Sequence, residues 1–411
     1  MLCLEDSHRI YLKQSSVNNM NDNGKRRAIR LPRGVYIFIC ILPVLSMALF
    51  YSLRNNILAM DWIAGTITAP IRGALGLFSS IYPYSLMEVL FVLGGIWLIY
   101  YLFKLIKTII QFIKKRERAS AIGKRLLTII VVLLYCWSIF SWLWNSAYHA
   151  PGFADNHGFT GQSVTAENLK YVSMHFVKKA NELAVLMPRD ENGSVIGDRR
   201  ELFAMSTEIY GQVFKTFPQL ETRLYKPKPM MFSWLMSRTG YTGIYFAPTG
   251  ESNINTRSPI FLMPATIAHE LAHQCGVARE DEANFIGILA CISSDNLAYE
   301  YAGYLMGLIY LRNALTMSSF TDWLEFDESM SDEVRSDLQA NSAYWQRQKT
   351  VETGVVFIDN ALTTVTTIVS ETVNTAYDGF LKSQDQELGL MSYGACVDLL
   401  VEYFATFDST E

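Results

Sequence analysis

The chain has 411 residues, half of them apolar, six cysteines and a formal charge of -4, with a positive mean hydropathy of +0.14. That much apolar side chain excludes a disordered chain, and six scattered cysteines with no CxxC exclude a disulfide scaffold. The charge is split: residues 1–146 carry 17 Lys and Arg against 6 Asp and Glu, whereas residues 147–411 carry 18 against 33, so the larger part is acidic where a nucleic-acid binder needs a basic patch.

Residues 1–34 form a basic polar tail, too long for the leader of a cleaved signal peptide. Residues 35–146 then hold three apolar runs. Val35 to Leu53 is 19 uncharged residues, enough at 1.5 Å per residue to cross a hydrocarbon core of about 30 Å. Leu86 to Phe103 and Leu126 to Trp144 are the second and third, and the Trp cluster of the third suits a membrane interface. The tail and the 104–125 segment are rich in Lys and Arg, while the segment between the first two runs has only Arg54 and Arg72. By the positive-inside rule the tail and the 104–125 loop are expected in the cytoplasm, which puts residues 147–411 outside it in a multi-pass protein of the lipid bilayer. Ile57 to Tyr84, apolar but broken by Gly and Pro, is expected to lie along the outer interface as a short amphipathic helix.

Residues 147–411 have the size of one domain. After a linker at His149 to Ser163, helical periodicity starts near Ala166 and returns in Arg200 to Phe217. Gly240 to Ala247 reads as a strand closed by Pro248 and Gly250, and Ser252 to Arg257 as loop or a second short strand. From Ala265 the pattern is helical almost to the end. The expected fold is mainly α: three transmembrane helices followed by an α+β domain with a small sheet.

The sharpest motif is His269-Glu270-Leu271-Ala272-His273. Residues four apart share a helix face, so both imidazoles can reach one cation while Glu270 is offset toward a water on it. Zinc suits such nitrogen and carboxylate donors. Gly276 can turn the chain sharply, and a helix beginning near Ala278 would bring Glu280 back as third ligand, with Asn284 on the same face to orient a histidine. Glu270 would then be the general base on the zinc-bound water. Tyr301 and Tyr304, with Tyr241 or Tyr245, are candidates for the oxyanion partner, though aromatic residues at helical spacing are usually core. The strand before the motif, through Gly243, Ile244 and Tyr245, is the candidate to bind a peptide as an added strand. His149, His157 and His175 are expected on the surface or in the linker. A disulfide between Cys275 and Cys291 is open to a domain outside the cytoplasm, with small buried thiols the first expectation.

HELAHQCGVAREDEANFIGILAC resembles the HExxH…ExxxD/N arrangement of gluzincin-type metallopeptidases, with Asn284 standing where many of them carry Asp. Together with GIYFAPTGESNIN upstream and ELGLMSYGACVDLL near the end, nearly the whole chain resembles the bacterial membrane-protein family called domain of unknown function 3810. The resemblance implies a zincin-like architecture in a bacterial cell membrane, and an endopeptidase acting outside the cytoplasm on peptides or envelope proteins. The alternative of another class is a non-catalytic zinc-binding receptor or scaffold of the cell envelope. Retention of Glu270 argues against it, since a structural zinc site needs no base. An intramembrane protease is disfavoured by Glu280, Asp281 and Glu282 beside the motif.

Overall fold

The computed structural model describes residues 32–161, 163–350, 356–383 and 393–407. Most of the basic tail and the first part of the ELGLMSYGACVDLL run therefore lie outside the described residues. The chain is mainly helical with one small sheet. Three helices are long and apolar enough to cross a membrane: Arg33–Leu53, Leu86–Ile113 and the helical stretch from Ala119.

The second apolar helix opens at Ser85, whose hydroxyl accepts from the Glu88 N–H as an N-cap, and runs to Ile113. Ala119–Phe140 begins the third after a short turn. The basic 104–125 segment is mostly helical: Lys104, Lys107, Lys124 and Arg125, good helix formers, sit inside the two helices, and only the turn at 114–118 separates them. The third continues through a π-helical turn, Ser141–Asn145, into Ser146–Tyr148.

Ile57 to Ser80 is helical as expected, with its own π-helical stretch at Ile63–Thr68. It is not simply laid along an interface. Met60 and Ile63 pack on Phe50, Arg72 is buried, and Gly76 lies so near the Tyr225 ring that a Cβ there would be 2.8 Å from it.

Residues 47–411 form one compact unit. Its core is built by helices Ala166–Ala184, Met263–Gln274, Glu280–Ile292, Leu297–Ser318 and Tyr393–Phe407. Leu297–Ser318 is apolar nearly all round, as a central helix must be, and Phe176, Phe285 and Leu305 are fully buried in the same core. Tyr210 and Tyr299 are buried there with their hydroxyls satisfied, donating to the carbonyls of Ala268 and Leu202 at 2.6 and 2.7 Å.

The sheet has three strands: β1 (Lys228–Pro229), β2 (Gly243–Phe246) and β3 (Glu251–Ile254), in the order β1-β3-β2. β1 runs parallel to β3; β2 is antiparallel to it with Ile244 opposite Asn253. So the strand expected at 240–247 is shorter, and the undecided 252–257 segment begins as the central strand. No division in packing falls at residue 147. Glu251 of β3 accepts from the first two N–H groups of the second apolar helix, Leu86 and Met87, both at 3.0 Å, and pairs with Lys228 at 2.8 Å. In return Glu88 accepts from the N–H groups of Met231 and Phe232.

Candidate metal centre

Pro264 sits in the first turn of Met263–Gln274, where its missing N–H costs nothing, and the helix runs on through the HExxH motif. It brings His269 and His273 onto one face with ring centroids 4.7 Å apart. The chain then reverses at Gly276, whose φ of +94° is open to glycine at little cost. The next helix begins at Glu280, two residues later than the spacing implied. Glu280 Oε2 lies 3.2 Å from His269 Nε2 and 3.8 Å from His273 Nε2. One donor atom from each of the three lies within 4.8 Å of the others. The helices can approach this closely because residue 287 is glycine: a Cβ there would be 2.9 Å from the backbone nitrogen of His269.

The donor set suits a borderline cation such as zinc. His273 Nδ1 lies 2.7 Å from the Val277 carbonyl oxygen, which fixes the ring and leaves the Nε2 lone pair facing Glu280 when the imidazole is neutral. That carbonyl takes the orienting role expected of Asn284. Asn284 is half-buried on the second helix and hydrogen-bonds to neither histidine: the loop carbonyl already occupies His273 Nδ1, and His269 Nδ1 is buried with no partner. Burial disfavours charge on His273, but the Glu280 carboxylate outweighs it and pushes the imidazole up to about 9. Burial likewise opposes the Glu280 charge, and the two histidines more than offset it, holding that carboxyl well below the usual range. The pocket is thus arranged to hold positive charge against a carboxylate.

Glu270 is buried beside this cluster, and burial pushes its carboxyl up to about 7. β2 passes directly over it: a Cβ on Gly243 would be 2.5 Å from Oε1, so only glycine fits. The Tyr245 N–H donates to the Glu270 carboxylate, while the buried Oε2 has no hydrogen-bond partner. Because Asn255 N–H donates to the Thr242 carbonyl, the alternation of an antiparallel ladder turns the main-chain groups of Gly243 and Tyr245 away from β3, toward the free edge.

Three walls of the site come from residues outside the motif region. Trp144, in the π-helical turn, stands edge-on to the His273 ring at 5.3 Å and against Tyr245 at 5.0 Å. Tyr148 is buried next to Trp144, within electrostatic range of Glu280. Arg72 donates to the Leu143 carbonyl and the Thr68 hydroxyl, each at 3.1 Å, and to the Tyr245 side chain. Sequence reasoning missed all three. The signals were Arg72, one of two arginines between the first two apolar runs, and a Trp at the end of an apolar run.

Tyr301 and Tyr304 do not reach the site. Tyr301 is fully buried and donates to Asp337 at 2.5 Å, and Tyr304 packs on Phe176 in the core. Helical spacing here marks an apolar packing face, so the expectation of an oxyanion partner at either is corrected. Tyr241 precedes β2 and joins the Met87, Met230 and Met236 cluster. His149, His157 and His175 pack on aromatic rings and none is in the cluster. Cys275 and Cys291 are free thiols whose pKa burial pushes up.

Fold and site together define a mainly helical protein with membrane-length apolar helices and a two-histidine, one-carboxylate cluster. A family model described as Protein of unknown function (DUF3810) matches residues 65–401, and the chain belongs to that family. No curated protein matches the chain, and no solved structure matches it.

Proposed function

We propose that this protein is a membrane-anchored, zinc-dependent endopeptidase of the bacterial cell envelope, hydrolysing peptide bonds outside the cytoplasm. The observation that carries the reading is the convergence of His269, His273 and Glu280 donor atoms beside a buried glutamate with an unpartnered oxygen, under the free edge of a strand. Zinc held by those three residues would supply Lewis acidity, polarising the scissile carbonyl and lowering the pKa of a water. Glu270 takes the proton of the attacking water and hands it to the leaving amine. The outer edge of β2 aligns the substrate as an added strand through the main-chain groups of Gly243 and the carbonyl of Tyr245, whose N–H is held by Glu270. Neither Tyr301 nor Tyr304 takes part. Tyr148 and Tyr241 lie within electrostatic range of Glu280.

The test uses the full chain, since Trp144 and Tyr148 of the third apolar helix wall the site. Metal content by mass spectrometry should give one zinc per chain, lost in His273→Ala and Glu280→Gln but kept in Glu270→Gln. Cleavage of an unstructured protein should fall about 10²- to 10⁴-fold in Glu270→Gln. A folded chain without zinc sinks the proposal. Zinc bound with no cleavage by the unaltered protein makes it the non-catalytic receptor or scaffold.

A further inference from the structure

The strand that would hold a substrate is itself held between two of the apolar helices. On one face, Ile244 and Phe246 pack toward Met87, and Phe246 lies 5.5 Å from Phe91, both in the first two turns of the second helix. On the other face, Tyr245 lies against Trp144 near the end of the third. The start of one span and the end of the next thus meet at β2. Trp144 stands between them and the ligand His273, and tryptophan at the end of an apolar helix belongs at the headgroup level.

A second observation fixes the same level. The turn whose N–H groups cap onto Glu88 of the second helix exposes Met231, Phe232, Trp234 and Leu235 to the surroundings. Four exposed large apolar side chains in five residues, at the head of a membrane-length helix, are an interfacial patch.

From these we infer that the site works at the bilayer surface, and that its substrate is the extended juxtamembrane segment of a membrane-anchored protein, docked on the free edge of β2. This rests on the endopeptidase reading and narrows its substrate class. A strand advances about 3.3 Å per residue, so only a few residues are needed between a lipid anchor and the scissile bond.

The full chain is reconstituted in nanodiscs and given degenerate peptide pools, each joined to a palmitoyl anchor through a Gly/Ser spacer of 3, 6, 12 or 24 residues. Cleavage is read by mass spectrometry. In parallel, Glu270→Gln protein carrying benzoylphenylalanine in place of Thr242 is photo-cross-linked to the same pools, a readout that needs no turnover. Cleavage and cross-linking should be strongest at 3 to 6 residues and fall about twentyfold by 24, as effective concentration declines with the −3/2 power of spacer length. Resistance of the short spacers with cleavage of the long ones places the site well above the bilayer and overturns the inference while the endopeptidase reading stands. Short-spacer cross-linking without cleavage by the unaltered protein overturns the endopeptidase reading and leaves an interfacial peptide-binding site. Neither cleavage nor cross-linking of any pool overturns both.

Discussion

Gly287→Ala offers the sharpest test of how the candidate metal centre is built. The added Cβ would start 2.9 Å from the His269 backbone nitrogen and 3.0 Å from its Cα, and both atoms belong to a helix that cannot rotate away like a side chain. Ordinary contact begins near 3.4 Å, so the two helices must part by about half an ångström at the residue that carries a ligand. Glu280 lies seven residues earlier on the Gly287 helix, roughly 10 Å along it, so the displacement is carried to the 3.2 Å His269–Glu280 contact. Overpacking of about 1–3 kcal/mol is offset by about 1 kcal/mol of helix propensity gained over glycine. The variant should therefore stay folded, with near-native circular dichroism, while zinc affinity from chelator competition falls about 10- to 100-fold. Unchanged zinc affinity in Gly287→Ala would refute the claim that helix contact sets the ligand spacing.

Four further outcomes are expected. Glu251→Ala leaves Lys228 buried without its carboxylate and should cost about 3–5 kcal/mol in chemical unfolding, with Glu251→Gln, which keeps hydrogen-bonding atoms but not the charge, costing less; a Glu251→Gln loss below about 1 kcal/mol would deny the ion pair its role. Tyr301→Phe removes one of two partners of Asp337, the other being Arg189, so stability should drop by about 1–2 kcal/mol with zinc content and cleavage unchanged. A large loss of cleavage there would return Tyr301 to the mechanism. Burial raises the Glu402 carboxyl, but the Thr160 and Gly161 N–H groups outweigh it and lower its pKa. A carboxyl lower in the folded chain stabilises above its unfolded value and loses that contribution as pH falls through the folded one. The gap in unfolding midpoint between the unaltered protein and Glu402→Gln should therefore be widest near neutrality and close in acid; a gap that widens in acid reverses the assignment. Trp144→Ala should weaken zinc binding more than Phe91→Ala, whose ring lies against Phe246 of β2 and not against a histidine of the cluster, as titration calorimetry would show.

The site's core was legible because its geometry is local. HExxH needs only helical periodicity, and Glu280 follows seven residues after His273 through the turn at Gly276, so residue spacing puts the donors near one another and the Gly287 contact sets how closely they meet. The apolar helices were legible too, since length and composition are their definition. What the sequence hid is contact between distant residues. Arg72 meets Leu143 across 71 residues, and no pattern along the chain marks that. Asn284 was misread because a main-chain carbonyl, which every residue has, took the place of a side chain. Tyr301 and Tyr304 show the reverse: helical periodicity identifies a shared face but not what that face meets.

Glu251 closes the N-terminus of the second apolar helix across 165 residues of chain. During synthesis that helix is complete long before β3 exists, and its first N–H groups must wait with water or lipid headgroups as partners. When β3 arrives, the carboxylate replaces them and draws Lys228 in with it, and the lysine in turn donates to the carbonyls of Ser79 and Tyr84. The central strand is thus the last part of a lock whose other half is already in place at the top of the helix. The two halves of that lock meet only in the folded chain, and through it the sheet that overlies Glu270 is tied to the head of the helix.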